Sequence, residues 1–457
     1  MGWWNIIFIL FPSRDHRREG AVLFSLWFFI PSTPAVFVDV ISLVVMLFVL
    51  FFLSNVGSFI FEKMRLPGMM GEIVFGILAA NIVIAGLGGW NLLEQIGITV
   101  QTPTLPGSEG YNVLMLFSEL GVIFLLFTVG LETKVSDLFK VGRPAIFAAI
   151  LGIAVPFSLG FIFMGLTGGD TMSSLFIATA LITTSAGVAA HVLKSLKMSN
   201  TTEGKIILGA AIISEIITLV ILAVMSGIAG GDTSPSGVVT IVFKSLLFVV
   251  LALVVCIYIM PKIHDSINRH RGREHPDWTM LFVGIGVCFA LAIAADQIGL
   301  SVIIGAYFAG MMFADNAEEW HLIKEIEPLK EFFMTFFFIS VGIRVVLSDL
   351  ASTEVIAFAA GISAIAILAK YLACSIGAKA GDRSLDRRSM NIIGWGMVPK
   401  AEVVMVIATI GVMSGALESV TFSCVVIMAI AATTVSHFMV ERGFRKKYGD
   451  AGADASA

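Results

Sequence analysis

Charged side chains are scarce in this chain, where Asp, Glu, Lys and Arg make up only 14% of the residues. A soluble protein of 457 residues needs a polar exterior, so this scarcity excludes an ordinary soluble fold. The net charge of -4 gives no sign of a nucleic-acid partner. A chain that is 57% hydrophobic instead indicates an integral membrane protein whose surroundings are the lipid bilayer.

Cysteine is rare as well, and the four cysteines all lie within apolar runs: Cys256, Cys288, Cys374 and Cys424. None of them has the paired spacing of a disulfide framework or a metal site, so we interpret them as small hydrophobic residues. The sequence also lacks a phosphate-binding loop, a nucleophile motif and zinc-ligand spacing. We therefore expect neither an enzyme nor a bound cofactor.

Long apolar runs recur along the chain, which predicts an all-α polytopic membrane protein rather than a β-barrel. The runs predict about 13 transmembrane helices, numbered here as spans in chain order: 34–62, 69–87, 111–132, 144–167, 172–193, 204–229, 236–260, 279–296, 300–315, 331–348, 354–378, 389–413 and 418–440. Residues 1–33 form an extension whose apolar pieces are too short to span. The extension fits an interfacial hairpin, a signal segment or an over-extended start.

Basic residues alternate between the two sides of this partition. The loops after odd-numbered spans hold 22 of the 29 Lys and Arg residues, and the loops after even-numbered spans hold essentially none. The positive-inside rule then places the odd loops in the cytoplasm, together with the short tail 441–457. We expect the inner, or plasma, membrane of a prokaryotic-type cell.

A carboxylate interrupts the apolar run 209–220 at Glu215. A charge near the bilayer centre costs at least ~2.5–3.5 kcal/mol, so such a residue is a candidate functional site. The alternative is a buried glutamate neutralised by a neighbouring helix.

Hydroxyl side chains surround Glu215 in the sequence, at Ser214 and at Thr183, Thr184 and Ser185 of the preceding span. Such hard oxygen ligands suit Na⁺, K⁺ or Li⁺. A carboxylate in a half-dry cavity also binds a proton readily, and a group that holds either a proton or a cation is the minimal machinery of exchange. The alternative for the hydroxyl run is hydrogen bonding within its own helix.

Two spans are interrupted at their middles, span 5 at 184–187 and span 12 at 396–400. Broken helices at membrane depth line cavities, and a matching pair in two halves points to a transporter site. Span 12 lies seven positions after span 5 in the order of spans, and the same offset pairs spans 1–6 with spans 8–13. Because seven is an odd number, each span of the second set crosses the membrane in the opposite direction to its partner. This predicts two inverted six-helix repeats, about 34–229 and 279–440, whose broken helices cross and which a linker helix at about 236–260 connects.

Crossed broken helices leave positive and negative helix ends inside the membrane, and these ends need compensating charges. Lys400 and Glu402 lie at the second break and can supply them. The alternative is an ion pair between the two that only holds the bundle together.

Six short motifs then resemble the second monovalent cation:proton antiporter family, which includes the Kef-type and Nap-type exchangers. The resemblance covers about 60–440 and rests on these segments in this order: the proline-glycine-glutamate element in 65–73, the third-span pattern at 119–121 and 127–132, the elements at 305–310 and 336–342, and the G-M-x-P-K-A-E run at 396–402. Each motif is weak alone, and the ordered set is specific.

This resemblance implies a Na⁺/H⁺ or K⁺/H⁺ antiporter, expected to be a homodimer in which a six-helix core moves like an elevator. Where the family has two acids, or Asn or Gln before Asp, this chain has Ser214 and Glu215. Lys370 matches a lysine that pairs with the first acid in some members. Glu119 is the second candidate for the ion site. The nucleotide-binding regulatory domain of many Kef-type members is not expected in this chain.

Two other functions compete with exchange. A cation channel is disfavoured because the sequence shows no filter-like repeat. A transport-inactive sensory or regulatory relative is compatible with the departure at Ser214. With one acid remaining, we expect electroneutral exchange of one proton for one cation.

Overall fold

A computed structural model of the protein describes residues 40–64, 66–86, 109–133, 142–230, 235–255, 258 and 278–449. Regular structure in these ranges is helical throughout, as the apolar runs predict. Ser42–Ala457 form one compact unit. The extension at 1–33 lies outside the described ranges, as does Cys256, whereas the other three cysteines are buried free thiols.

The helices, numbered in chain order, are α1 Val40–Lys63, α2 Gly68–Gly86, α3 Glu109–Glu132, α4 Arg143–Leu166, α5 Thr171–Ile182, α6 Ala186–Ser195, α7 Thr202–Gly230, α8 Pro235–Val254, α9 Trp278–Gln297, α10 Val302–Phe313, α11 Leu322–Ile343, α12 Thr353–Ala364, α13 Lys370–Gly381, α14 Arg387–Gly396, α15 Glu402–Met413 and α16 Ser419–Tyr448. A π-helical turn, Ile365–Ala369, joins α12 to α13. Short 3-10 turns follow α10 and α11.

Eight helical stretches in the described ranges are long and apolar enough to cross a bilayer: Leu43–Lys63, Gly110–Glu132, Arg143–Leu166, Thr171–Ser195, Thr202–Ala229, Met280–Gln297, Thr353–Gly381 and Ser419–Tyr448. Shorter apolar helices include Glu402–Met413. This agrees with an integral membrane protein. The count of 13 crossings and the inverted relation of the two halves stay predictions.

One group of helices is built around α3, which packs against α10 and α11, while α11 also packs against α2. Glycines allow the closest approaches between them. A Cβ atom at Gly310 of α10 would lie 2.0 Å from the carbonyl oxygen of Phe127 in α3. Any larger residue at Gly310 would therefore push the two helices apart.

A second group is built around α4, which packs against α5, α7 and α13. Helix α16 packs against α12, α14 and α15 in the same group. The largest apolar core joins the two groups, since Leu181 of α5 and Val404 of α15 share it with Leu126 of α3 and Phe338 of α11. The broken helices α5/α6 and α14/α15 thus lie in the second group.

Helix α11 corrects the prediction of a span at 331–348, because it begins at Leu322 and ends at Ile343. The first turns of α11 carry charged residues, so a search for long apolar runs starts the predicted span after them. Its end is set by Asn81 of α2, whose side chain donates to the carbonyl of Val345 at 2.8 Å and accepts from the amide of Leu347 at 2.9 Å.

Helix α16 continues past 440, the predicted end of span 13, as far as Tyr448. Arg445 pairs with Glu441 one turn earlier at 2.7 Å, and basic residues in the last turn favour a helix C-terminus. Only residues beyond 449 remain outside the described part of the tail.

Candidate functional site

Two breaks interrupt the helices of the second group, one at 183–185 between α5 and α6 and one at 397–401 between α14 and α15. The first break is shorter than the predicted 184–187. Ser185 ends it as the N-cap of α6, because its hydroxyl accepts from the amide of Val188 at 3.1 Å, and Gly187 is therefore helical. The second break begins after Gly396, the last residue of α14, one residue later than predicted.

The two breaks are in direct contact. The amide of Ser185 donates to the carbonyl of Pro399 at 3.0 Å. The hydroxyl of Thr184 donates to the carbonyl of Met397 at 3.1 Å. Backbone groups that the breaks release from helical bonding thus find partners across the contact.

Two buried lysines meet the C-terminal end of α5. The Lys400 ammonium donates to the carbonyls of Leu181 at 2.7 Å and Thr183 at 2.9 Å. The Lys370 ammonium donates to the carbonyl of Ile182 at 2.5 Å. The last carbonyls of a helix have no intrahelical donor and carry partial negative charge, so both ammonium groups compensate this end.

Helix α16 fixes the backbone at Lys400. The amide of Lys400 donates to the hydroxyl of Thr433 at 2.9 Å, and this hydroxyl donates in turn to the Lys400 carbonyl at 2.5 Å. Ser436, one turn later, donates to the carbonyl of Trp395 at 3.0 Å. The sequence reading missed both residues, although their spacing of three places them on one face of a helix.

Glu402 is the first residue of α15 and is 5% exposed. Its carboxylate accepts from the hydroxyl of Ser185, with oxygen-to-oxygen distances of 3.0 and 3.2 Å. A carboxylate in the first turn is stabilised by the positive end of the helix. The contacts therefore assign Lys400 to the α5 carbonyls and Glu402 to Ser185, rather than an ion pair between the two.

Glu215 and Ser214 lie in the middle of α7 and are 3% and 0% exposed. One Glu215 carboxylate oxygen and the Ser214 hydroxyl are buried without a hydrogen-bond partner in the part of the chain described. The backbone carbonyl of Ser214 accepts a hydrogen bond from the hydroxyl of Thr218 at 2.7 Å. The atoms without a partner are therefore side-chain atoms, not backbone atoms. Unmet oxygen ligands of this kind are able to bind a proton or a cation.

The remaining candidate residues divide between the site and the surface. Thr183 lies in the first break, where its hydroxyl donates to the carbonyl of Ala180 at 2.8 Å. Glu119 is exposed on α3, and none of the contacts given above involves it. Glu215 interacts electrostatically with Glu402 and with Glu132, at the end of α3. The sequence analysis includes Glu132 in the third-span motif at 127–132 but does not predict it as a site residue.

A cluster of polar residues joins the ends of three helices. Glu203, in the first turn of α7, accepts from the hydroxyls of Ser389 at 2.6 Å and Tyr448 at 2.8 Å, and from the Lys447 ammonium. Lys447 also contacts Asp386, the N-cap of α14, at 3.2 Å. The hydroxyl of Ser389 is the main cause that lowers the pKa of Asp386 well below its usual range.

Comparison with known proteins identifies the family. Residues 33–442 match the family described as "Sodium/hydrogen exchanger, transmembrane". The chain belongs to this sodium/hydrogen exchanger family. It is 31% identical over 412 residues to the high-affinity Na⁺/H⁺ antiporter NhaS3 of Synechocystis sp., covering 85% of this chain and 87% of the relative. The resemblance to cation:proton antiporters is thereby confirmed.

Other exchangers agree in fold and in sequence. A Na⁺/H⁺ antiporter of Enterococcus hirae is 28% identical, over 86% of this chain and 96% of the relative. The K⁺/H⁺ antiporter subunit KhtU of Bacillus subtilis is 27% identical, over 75% of this chain and 82% of the relative. The sodium proton antiporter MjNhaP1 of Methanocaldococcus jannaschii has the same fold, with a TM-score of 0.64 at 14% identity over 91% of this chain and 99% of that one. Members of the family are transporters rather than enzymes.

Proposed function

We propose that this exchanger-family protein is a secondary antiporter that exchanges one proton for one Na⁺ or K⁺ at Glu215. The observation that carries the proposal is the buried, unpartnered carboxylate oxygen of Glu215 in α7. It lies within a helix group whose two breaks are in direct contact through Ser185 and Thr184. The Na⁺/H⁺ and K⁺/H⁺ antiporters among its relatives support the same class of cargo.

The proposed site offers oxygen atoms suited to a partly dehydrated monovalent cation. The Ser214 hydroxyl has no partner in the described ranges and is adjacent in sequence. Thr183, Thr184 and Ser185 donate their hydroxyl protons to protein acceptors. A hydroxyl that donates its proton still presents lone pairs, which are what a cation needs.

Competition between proton and cation at Glu215 gives exchange its coupling. The carboxyl group is neutral when it binds a proton, and a bound Na⁺ or K⁺ neutralises the same negative charge. An uncompensated carboxylate in a dry interior is costly, so the loaded forms are the ones that cross. An empty, ionised site would therefore be disfavoured during reorientation.

The positions of the lysines favour a stoichiometry of one for one. Both ammonium groups contact carbonyls of the α5 end, and neither contacts Glu215. Since Ser214 replaces the first acid of the family motif, Lys370 has no carboxylate of its own. Glu215 is then the single group that changes its proton content, and exchange is electroneutral.

The two packing groups suggest how the site reaches both sides. The group around α4 carries both breaks and Glu215, and the group around α3 is the natural scaffold against which it moves. We propose an elevator-like movement of the first against the second in a homodimer. A cation channel or a transport-inactive relative is the alternative function.

Transport by purified protein in proteoliposomes tests the proposal. A pH-sensitive dye inside the vesicles should report proton movement when Na⁺, K⁺ or Li⁺ is added outside. Exchange persists when the membrane potential is clamped at zero. A channel would instead pass cation current without obligatory proton movement, and an inactive relative would give neither signal.

A further inference from the structure

The carboxylate of Glu402 is buried beside the contact between the two helix breaks and is not bound by either buried lysine. Lys400 is two residues away in sequence, yet its ammonium contacts the carbonyls of Leu181 and Thr183. The Lys370 ammonium contacts Ile182. The side-chain donor to Glu402 in the described ranges is the hydroxyl of Ser185. A carboxylate has about four lone-pair sites, so its capacity to bind a cation is largely unused.

Two helix N-termini near Glu402 offset part of the cost of burying a negative charge there. Glu402 is the first residue of α15. Ser185, which donates to it, is also the N-cap of α6. The positive ends of both helices therefore lie near one carboxylate. Glu215 lies in the middle of α7 rather than at a helix terminus.

Glu402 and Glu215 also act on each other. They interact electrostatically through the interior, and Glu215 holds the unpartnered oxygen. A cation held close to both carboxylates would relieve their repulsion, whereas a proton on Glu215 relieves it by neutralising one partner. Ser214 contributes no charge of its own at the position before Glu215.

We propose that Glu402 is a second ligand of the transported cation, oriented by Ser185, and that it contributes to cation affinity and selectivity while Glu215 carries the exchanged proton. The inference rests on the proposed exchange at Glu215. It leaves the stoichiometry at one for one, because only Glu215 gains and loses a proton. Glu402 would supply the negative charge that the serine at 214 does not.

Cation titrations of the proteoliposome assay test this role with Glu402→Gln. Gln keeps the shape and still accepts from Ser185, but it carries no charge. We expect the half-saturating Na⁺ or K⁺ concentration to rise about tenfold, which corresponds to a loss of roughly 1.4 kcal/mol in cation binding. The maximal transport rate should fall by a smaller factor. An unchanged half-saturating concentration would overturn the inference.

Two further variants separate a ligand from a structural residue. Glu354→Gln removes an exposed glutamate from the first turn of α12 and is the matched control, with no expected change in cation affinity. Glu402→Asp keeps the charge but withdraws it by one methylene group. It should alter the ratio of the Na⁺ and K⁺ half-saturating concentrations by about threefold or more. An unaltered ratio overturns the inference even if Glu402→Gln does not fold.

Glu215→Gln in the same assay keeps the two proposals apart. If Glu215→Gln abolishes exchange while both Glu402 variants keep the original affinity and selectivity, only the role of Glu402 fails. If Glu215→Gln still exchanges, the proposed function itself fails at that site.

Discussion

The Lys370 ammonium donates to the carbonyl of Ile182, the last residue of α5, at 2.5 Å. The lysine thus lies at a helix end rather than at the carboxylate of Glu215. A buried lysine in an exchanger can carry a proton, or it can stabilise a broken helix by supporting its end. The contact favours support.

Glu215→Gln is the first test of the site. Glutamine preserves the shape of the side chain but cannot ionise, so cation-driven proton release should disappear. Expression and oligomer formation should remain close to those of the wild type, since one Glu215 oxygen has no hydrogen-bond partner to lose in the described ranges. The readout is the pH-sensitive dye in proteoliposomes. Exchange that survives this change would move the site elsewhere, with Glu119→Gln as the next variant.

An imposed membrane potential tests the stoichiometry. Electroneutral exchange moves no net charge, so a potassium-valinomycin potential alone should not drive accumulation of Na⁺ in the vesicles. Accumulation driven by the potential would contradict one-for-one exchange, and Lys370 would then be the next candidate for a second proton carrier.

Ser214→Asp is the companion change for this measurement. It restores an acid before Glu215 and gives Lys370 a carboxylate with which to pair. We expect transport by this variant to become more sensitive to the potential than transport by the wild type. Ser214→Asn, which adds bulk without charge, is its control.

Lys400→Ala should harm folding at least as much as it harms cation affinity. The change removes the donor to the carbonyls of Leu181 and Thr183, and each unmet buried group costs about 1–3 kcal/mol. The thermal midpoint of the detergent-solubilised protein should fall clearly. Lys205→Ala, at an exposed position in the first turns of α7, should leave the midpoint close to that of the wild type. Equal midpoints for both variants would show that the α5 end does not need Lys400.

Cysteine labelling tests the predicted topology. Val100→Cys and His270→Cys, in a background without native cysteines, should react with an impermeant maleimide from opposite sides of the membrane. The expectation follows from the alternation of basic and non-basic loops. If both cysteines are labelled from the same side, the thirteen-span arrangement and the repeat pairing are wrong.

Asp386→Ala tests the polar cluster at the start of α14. Asp386 accepts from the amide of Ser389 at 3.1 Å, and loss of such an N-cap costs about 1 kcal/mol. Because the pKa of Asp386 is lowered in the folded protein, its contribution is fully present above the ordinary aspartate pKa of about 3.9. The difference in stability from the wild type should stay constant from pH 8 to about pH 5 and shrink in stronger acid. A difference that vanishes near neutral pH would contradict this.

The sequence was sufficient to predict the elements whose signal is local. Glycine and proline at 396 and 399 predicted the second break, and the charge of Glu215 within an apolar run singled out that residue. The bounds of the breaks were less predictable. Gly187 was expected to be unwound, but the capping hydroxyl of Ser185 starts α6 before it.

The partners of the buried charges could not be predicted, because they depend on tertiary packing. Lys400 and Glu402 are neighbours in sequence, and an ion pair between them is the obvious local expectation. The lysine instead meets α5, about 219 positions earlier, and the glutamate meets Ser185. The cluster around Glu203 joins three helix ends that are far apart in the chain, and no periodic pattern indicates it.

The two broken helices are compensated by different chemistry. Two ammonium groups meet the C-terminal end of α5. At the end of α14, the hydroxyls of Ser436 and Thr184 meet the carbonyls of Trp395 and Met397. The carbonyls at one break thus face lysine ammonium groups, whereas those at the other break face hydroxyl groups. The two breaks are therefore not electrostatically equivalent, although the sequence predicts them as a matching pair.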